Sequence, residues 1–124
     1  MINRIKKHTI SFQHAFAGMI LSFKTQPNYQ IHFALSFLAL TGSFMFKISY
    51  YEFLIIVCLI FIGLTIETVN TALENTNNAI DQNIREDIRI AKDAAAGAML
   101  IYALGAFTIA CIIFIPKILS LIIK

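Results

Sequence analysis

The chain has 124 residues, 58% of them hydrophobic and 14% charged, with a formal net charge of +3. Together with a mean hydropathy of +0.74, this excludes an ordinary soluble domain and points to one integral membrane domain, residues 1–124. The basic residues are dispersed, which suits anionic headgroups and argues against a nucleic-acid surface.

At the N-terminus, Phe12, Phe16, Met19, Ile20 and Phe23 recur at helical spacing behind Lys6 and Lys7. That pattern predicts an amphipathic surface helix over about 5–25, and would equally serve a helix packed against a bundle. Residues 1–30 show no continuous apolar core followed by a small-residue cleavage site, so insertion is expected to rely on retained helices. Pro27 and Asn28 mark a break. A first span is expected over about 29–47, where His32, Ser36, Thr41, Gly42 and Ser43 interrupt the apolar run 31–46. Residues 47–52 read as a tight joint, with Tyr50 and Tyr51 suited to the headgroup layer.

A second span is expected over about 51–80, and its uncharged run 53–66 reaches span length only if Glu67 and Asn70 are included. Residues 75–89 continue as a polar segment. A third span is expected over about 92–120, opened by A-A-A-G-A at 94–98, where small residues permit close helix approach. Cys58 and Cys111 lie in separate apolar runs without C-x-x-C spacing and imply neither disulfide nor metal. The expected fold class is an all-α membrane protein with an N-terminal amphipathic surface helix plus three transmembrane helices. Arg4, Lys6, Lys7, Lys24, Arg85, Arg89 and Lys92 outnumber Lys47, Lys117 and Lys124, which predicts a cytoplasmic N-terminus and a cytoplasmic second connection.

The chemistry concentrates in E-x-x-N-x-x-x-E at Glu67, Asn70 and Glu74. Spacings of three and four put these groups, with Asn77 or Asn78 and Asp81, on one ribbon of a helix at the membrane edge. Arg85, Arg89, Lys92 and Asp93 repeat helical offsets beyond it. Arg85 and Lys92 suit phosphate oxygens and Glu74 suits Mg²⁺, the requirements for phosphoryl transfer to a hydroxyl arriving from lipid. Each group has a plainer reading. Glu67 also suits a hydrogen-bonded bundle or a proton relay, Glu74 an ordinary helix end, Arg85 and Arg89 topology, and Asp93 a helix cap. His14 and His32 have no His or Cys neighbour at ligand spacing, so no transition-metal site is expected. No G-x-x-x-x-G-K-[ST], G-x-G-x-x-G, H-R-D or D-F-G element occurs.

Three segments carry a family resemblance: E-T-V-N-T-A-L-E at 67–74, A-K-D-A-A-A-G-A at 91–98, and F-x-x-A-F-x-G ending at Gly18 followed by Q-P-N-Y-Q-I-H at 26–32. Their order and spacing resemble the small prokaryotic integral-membrane lipid kinases, diacylglycerol kinase and its undecaprenol kinase relatives. The resemblance implies a homotrimer in the bacterial cytoplasmic membrane, using ATP and Mg²⁺ to phosphorylate a lipid alcohol at the cytoplasmic face. By the same resemblance Glu67 matches the catalytic carboxylate and Asn70 the polar residue that positions the reacting groups. Glu74 matches a metal and nucleotide-site carboxylate, and Lys92 with Asp93 a nucleotide-contacting pair. Asn83, Ile84 and Arg85 fall in the nucleotide-contacting connection, and Lys7 and His14 at N-terminal nucleotide-contacting positions. Phe16, Ala17, Met19, Ile20 and Leu21 would shape the lipid entrance, with Glu67 at its end. Three positions depart from the pattern. Gln26 stands at a second metal-ligand Glu, Asn78 where Asp is frequent in the nucleotide site, and Gln30 at a common Arg. A carboxamide ligates Mg²⁺ without bringing charge, so weaker metal binding is expected at Gln26. The 26–32 and 67–72 segments look closer to the undecaprenol branch. A noncatalytic scaffold derived from the kinase fold, or a proton or ion pathway through Glu67 and Asn70, are the alternatives.

Overall fold

The computed structural model describes residues 2–80 and 85–123, with side chains from residue 10 onward. Four helices follow one another: α1 (Ile2–Thr25), α2 (Pro27–Met45), α3 (Tyr50–Ile80) and α4 (Glu86–Ile122). Each described joint has a local cause. Proline disfavours a helical conformation in the residue before it, and Gln26 is extended at φ −109 and ψ 110. Pro27 then opens α2, where a missing N–H costs nothing. The elbow is closed by Gln30, whose Nε2 donates to the Phe23 carbonyl at 3.1 Å, and by the edge-on contact of the Phe23 and Phe33 rings.

Between α2 and α3 the chain turns through Lys47, at a positive φ of 48. Ser49 and Glu52 then start α3 with a reciprocal cap. The Ser49 N–H donates to Glu52 Oε2 at 2.6 Å, and the Glu52 N–H donates to Ser49 Oγ at 3.3 Å. At the other end of the bundle from the acidic stripe, Lys117 lies 3.8 Å from Glu52, linking the end of α4 to the start of α3.

One expectation needs correction. Among the described residues two helices, α3 and α4, are long and apolar enough to cross a membrane, so the expected surface helix plus three transmembrane helices is not the architecture found. α2 has only 19 residues, and Pro27, Asn28, Gln30 and His32 occupy its first turns, leaving too short an apolar stretch. α4 begins at Glu86. Arg85, Arg89 and Lys92 therefore belong to its cap and first turns, in keeping with the helical offsets of the sequence. Glu86 and Asp87 in the first turn favour this start by opposing the positive helix end.

Only 17% and 11% of the most apolar stretches of α3 and α4 are buried. In water such exposure is unfavourable; in lipid it is the expected outer surface, and the protein is membrane-associated. α3 and α4 meet at Gly63, where a Cβ would overlap the Tyr102 ring. The Tyr102 hydroxyl donates to the Leu59 carbonyl, so the ring lies across α3 and is tied to it. Gly97, in the A-A-A-G-A segment, faces open space. Ala95 of the same segment is buried.

Candidate active site

The buried face of α3 passes from Ile56 and Gly63 to Glu67, Asn70 and Thr71. Glu67 is the most deeply buried of these, with 1% of its surface exposed, and its Oε2 has no hydrogen-bond partner. Asn70 Oδ1 is likewise buried and unpaired, and so is Asn77 Nδ2 one turn beyond Glu74. A buried polar atom without a partner costs about 1–3 kcal/mol, so such atoms on one face mark a place prepared for something other than packing.

Glu74 is held from both sides. Asn70 Nδ2 donates to its Oε1 at 3.2 Å, and Gln26 Nε2 donates to its Oε2 at 3.3 Å from a position 48 residues away. The extended residue before Pro27 thus delivers Gln26 from the α1–α2 joint to the acidic stripe. Gln26, Asn70 and Glu74 therefore form one hydrogen-bonded group, with Glu67 on the same face of α3. Among the described residues no three His, Cys, Asp or Glu side chains form a metal cage. Mg²⁺ often uses one or two carboxylates plus substrate phosphates, and Glu74 beside the Gln26 carboxamide fits that sparse donor set.

Lys92 joins α4 to the same stripe, its Nζ donating to Asn78 Oδ1 at 2.8 Å. The other cationic candidates are engaged elsewhere. Arg85 pairs with Asp87 at 2.7 Å, and Arg89 bridges Glu86 at 2.6 Å and Asp93 at 2.7 Å. Asp93 lies two turns inside α4 and does not cap it. His14, Phe16, Ala17, Met19, Ile20 and Leu21 lie exposed on α1. Asn83 and Ile84 lie outside the described residues, as does the side chain of Lys7.

Sequence reasoning passed over Thr71, which is buried and donates through Oγ1 to the Glu67 carbonyl at 2.9 Å. It also passed over Gly63 and Tyr102, the contact that closes the stripe below Glu67. The spacing of Gly63 and Thr71, four residues either side of Glu67, was the available signal.

Residues 13–114 match the prokaryotic diacylglycerol kinase family model. The chain belongs to the prokaryotic diacylglycerol kinase family. Among its relatives, an undecaprenol kinase of Bacillus subtilis is 35% identical over 115 residues, covering 93% of this chain and 94% of that protein. A diacylglycerol kinase of Synechocystis is 30% identical over 115 residues, covering 92% of this chain and 66% of that protein. Membership in this kinase family supports lipid-kinase-like phosphotransferase activity in general terms and sets the polar stripe of α3 in that context.

Proposed function

We propose that this member of the prokaryotic diacylglycerol kinase family transfers the γ-phosphoryl group of MgATP to the hydroxyl of a membrane lipid alcohol, undecaprenol ahead of diacylglycerol. The observation that carries the reading is Glu67: a carboxylate buried on a membrane helix, with a free Oε2, next to a carboxylate supported by two carboxamides. In the reaction Glu67 Oε2 accepts the hydroxyl proton while the alcohol oxygen bonds to the γ-phosphorus. The bond from that phosphorus to the β–γ bridging oxygen breaks, and ADP leaves. Asn70 orients the reacting groups.

Glu74 and Gln26 would hold Mg²⁺ together with the phosphates, with Gln26 turning its amide so that Oε1 faces the ion. When bound, Mg²⁺ neutralises charge on the transferring group. Lys92 is placed to exchange its Asn78 contact for a phosphate oxygen, and Asn78, Asp93, Arg85, His14, Lys7, Asn83 and Ile84 complete the proposed nucleotide environment. Phe16, Ala17, Met19, Ile20 and Leu21 form the lipid approach. The excess of basic residues before α2 and at the start of α4 over those at Lys47, Lys117 and Lys124 favours a cytoplasmic active face in the bacterial cytoplasmic membrane. A homotrimer is the assembly implied by the family resemblance. The preference for undecaprenol is supported by the higher identity and fuller coverage of the undecaprenol kinase.

The test offers undecaprenol and diacylglycerol in parallel to the purified protein in mixed micelles with MgATP. Transfer to undecaprenol at the higher kcat/KM is expected. Absence of transfer to both alcohols rejects the reading, and failure to bind MgATP as well favours a noncatalytic scaffold.

A further inference from the structure

At the end of the bundle opposite the acidic stripe, α2 runs into a residue that its backbone disfavours. Lys47 has a positive φ of 48, in a turn where the Ile48 N–H donates to the Ser43 carbonyl at 3.2 Å and the Lys47 N–H to the Phe44 carbonyl at 3.3 Å. Helices that end with this pair of bonds favour glycine at the left-handed position, because a residue with a Cβ resists that conformation. Both bonds are made by backbone, and glycine makes them equally well. What lysine adds there is its side chain.

That side chain is exposed and takes part in no ion pair among the described residues. Glu52, the one carboxylate side chain near this turn among the described residues, is engaged already. It accepts from the Ser49 N–H at 2.6 Å and lies 3.8 Å from Lys117. A second copy of the chain therefore brings no free carboxylate to this level. Beside the Lys47 ammonium lies a shallow groove walled by Ser43, Phe44, Ile48, Tyr50 and Phe53. The Phe44 and Phe53 rings stand 5.7 Å apart, and Ser43 Oγ donates to the Ala39 carbonyl at 2.7 Å, so the groove offers mainly carbon. Phe44 and Met45 are 73% and 72% exposed, a surface that lipid accommodates and water does not. Tyr50 and Tyr51 beside them carry the amphipathic rings that settle at headgroup level.

A free cation, an apolar wall and two headgroup-layer tyrosines describe a ligand with a negatively charged phosphate joined to a hydrocarbon chain. We propose that Lys47 and the adjoining groove bind one anionic phospholipid, in the leaflet at the far end of the bundle from Glu67. The ammonium meets a phosphate oxygen and an acyl chain lies along Phe44 and Phe53. A zwitterionic headgroup carries its own cation beside the phosphate and is the weaker ligand. This site is separate from the acidic stripe and does not depend on the lipid-kinase reading.

The test photolyses the wild-type protein in phosphatidylcholine bilayers containing a trace of phosphatidylglycerol with a diazirine in its acyl chain, and maps the label by mass spectrometry. Label on Phe44 and Phe53 is expected, falling when unlabelled phosphatidylglycerol replaces phosphatidylcholine at a fixed probe fraction. Lys47→Gln removes the charge and leaves the backbone conformation in place. Label at the two rings should fall about fivefold in it, the value of one lysine at a membrane surface, and Lys47→Arg should keep it. Label that is indifferent to the lipid replacement, or undiminished in Lys47→Gln, overturns the proposal. A second arm melts Lys47→Gly in detergent without phospholipid. Its melting temperature should rise by about 3 °C as the left-handed strain is relieved, while its label falls as in Lys47→Gln. A lower melting temperature would make the lysine side chain part of the turn itself, and would also overturn the proposal.

Discussion

Along α3 the same buried face is built in two ways. From Ile56 to Gly63 it is carbon bordering an apolar cavity, with Tyr102 of α4 lying over the glycine and bonded to the Leu59 carbonyl. From Glu67 to Glu74 it carries two carboxylates and a carboxamide, and Glu67 Oε2 and Asn70 Oδ1 find no partner. The lower half gains stability from shape, whereas the upper half leaves unpaired polar atoms in a place where apolar side chains would pack at less cost. A helix serving only to hold the bundle would continue the lower pattern. The difference assigns packing to one half and chemistry to the other, and substitutions in each half should separate the two.

The largest separation is expected at Glu67. Glu67→Gln keeps the shape and removes the proton acceptor, so kcat should drop about 100-fold or more with no loss of folded protein. Rates in mixed micelles beside a chemical unfolding curve check both. Next comes Gly63→Leu, which forces a side chain into the Tyr102 ring and should destabilise the bundle by about 1–3 kcal/mol, read from its unfolding midpoint. Full stability there would remove the packing role of the lower half. Glu74→Gln takes away the carboxylate shared by Gln26 and Asn70. The Mg²⁺ concentration for half-maximal activity should rise about tenfold, the response expected when a hard cation loses its protein anion. Lys92→Met should raise the KM for ATP up to about fivefold, as for an exposed ionic contact. The smallest effect belongs to Arg89→Ala. Its ladder to Glu86 and Asp93 is exposed, and the melting temperature should not move measurably.

The polar half of this comparison was legible in the sequence because spacing by three and four fixes a helical face. The joint at Pro27 was equally legible, since proline constrains its own backbone and that of Gln26. Long-range partners were not. Nothing local predicts that Gln26 meets Glu74 across 48 residues, or that the Tyr102 ring lies over Gly63 of the facing helix. Small residues announce that a close approach is permitted, but the rotation of the facing helix decides which one is used. The α2 segment was read as a span because its interruptions were counted singly. Taken together at one end of a 19-residue helix, Asn28, Gln30 and His32 leave too little apolar length. The start of α4 at Glu86 is marked by Glu86 and Asp87, the acidic first turn that helices favour.

The central claim, that the buried carboxylate of α3 serves phosphoryl transfer rather than packing, is tested most directly by a single-turnover assay. Labelled γ-phosphate from MgATP is followed into undecaprenol by wild-type protein and Glu67→Gln side by side, with each rate expressed per folded molecule. The account predicts labelled undecaprenyl phosphate from the wild type and at least about 100-fold slower labelling from the variant. Equal labelling by a folded Glu67→Gln protein would contradict it.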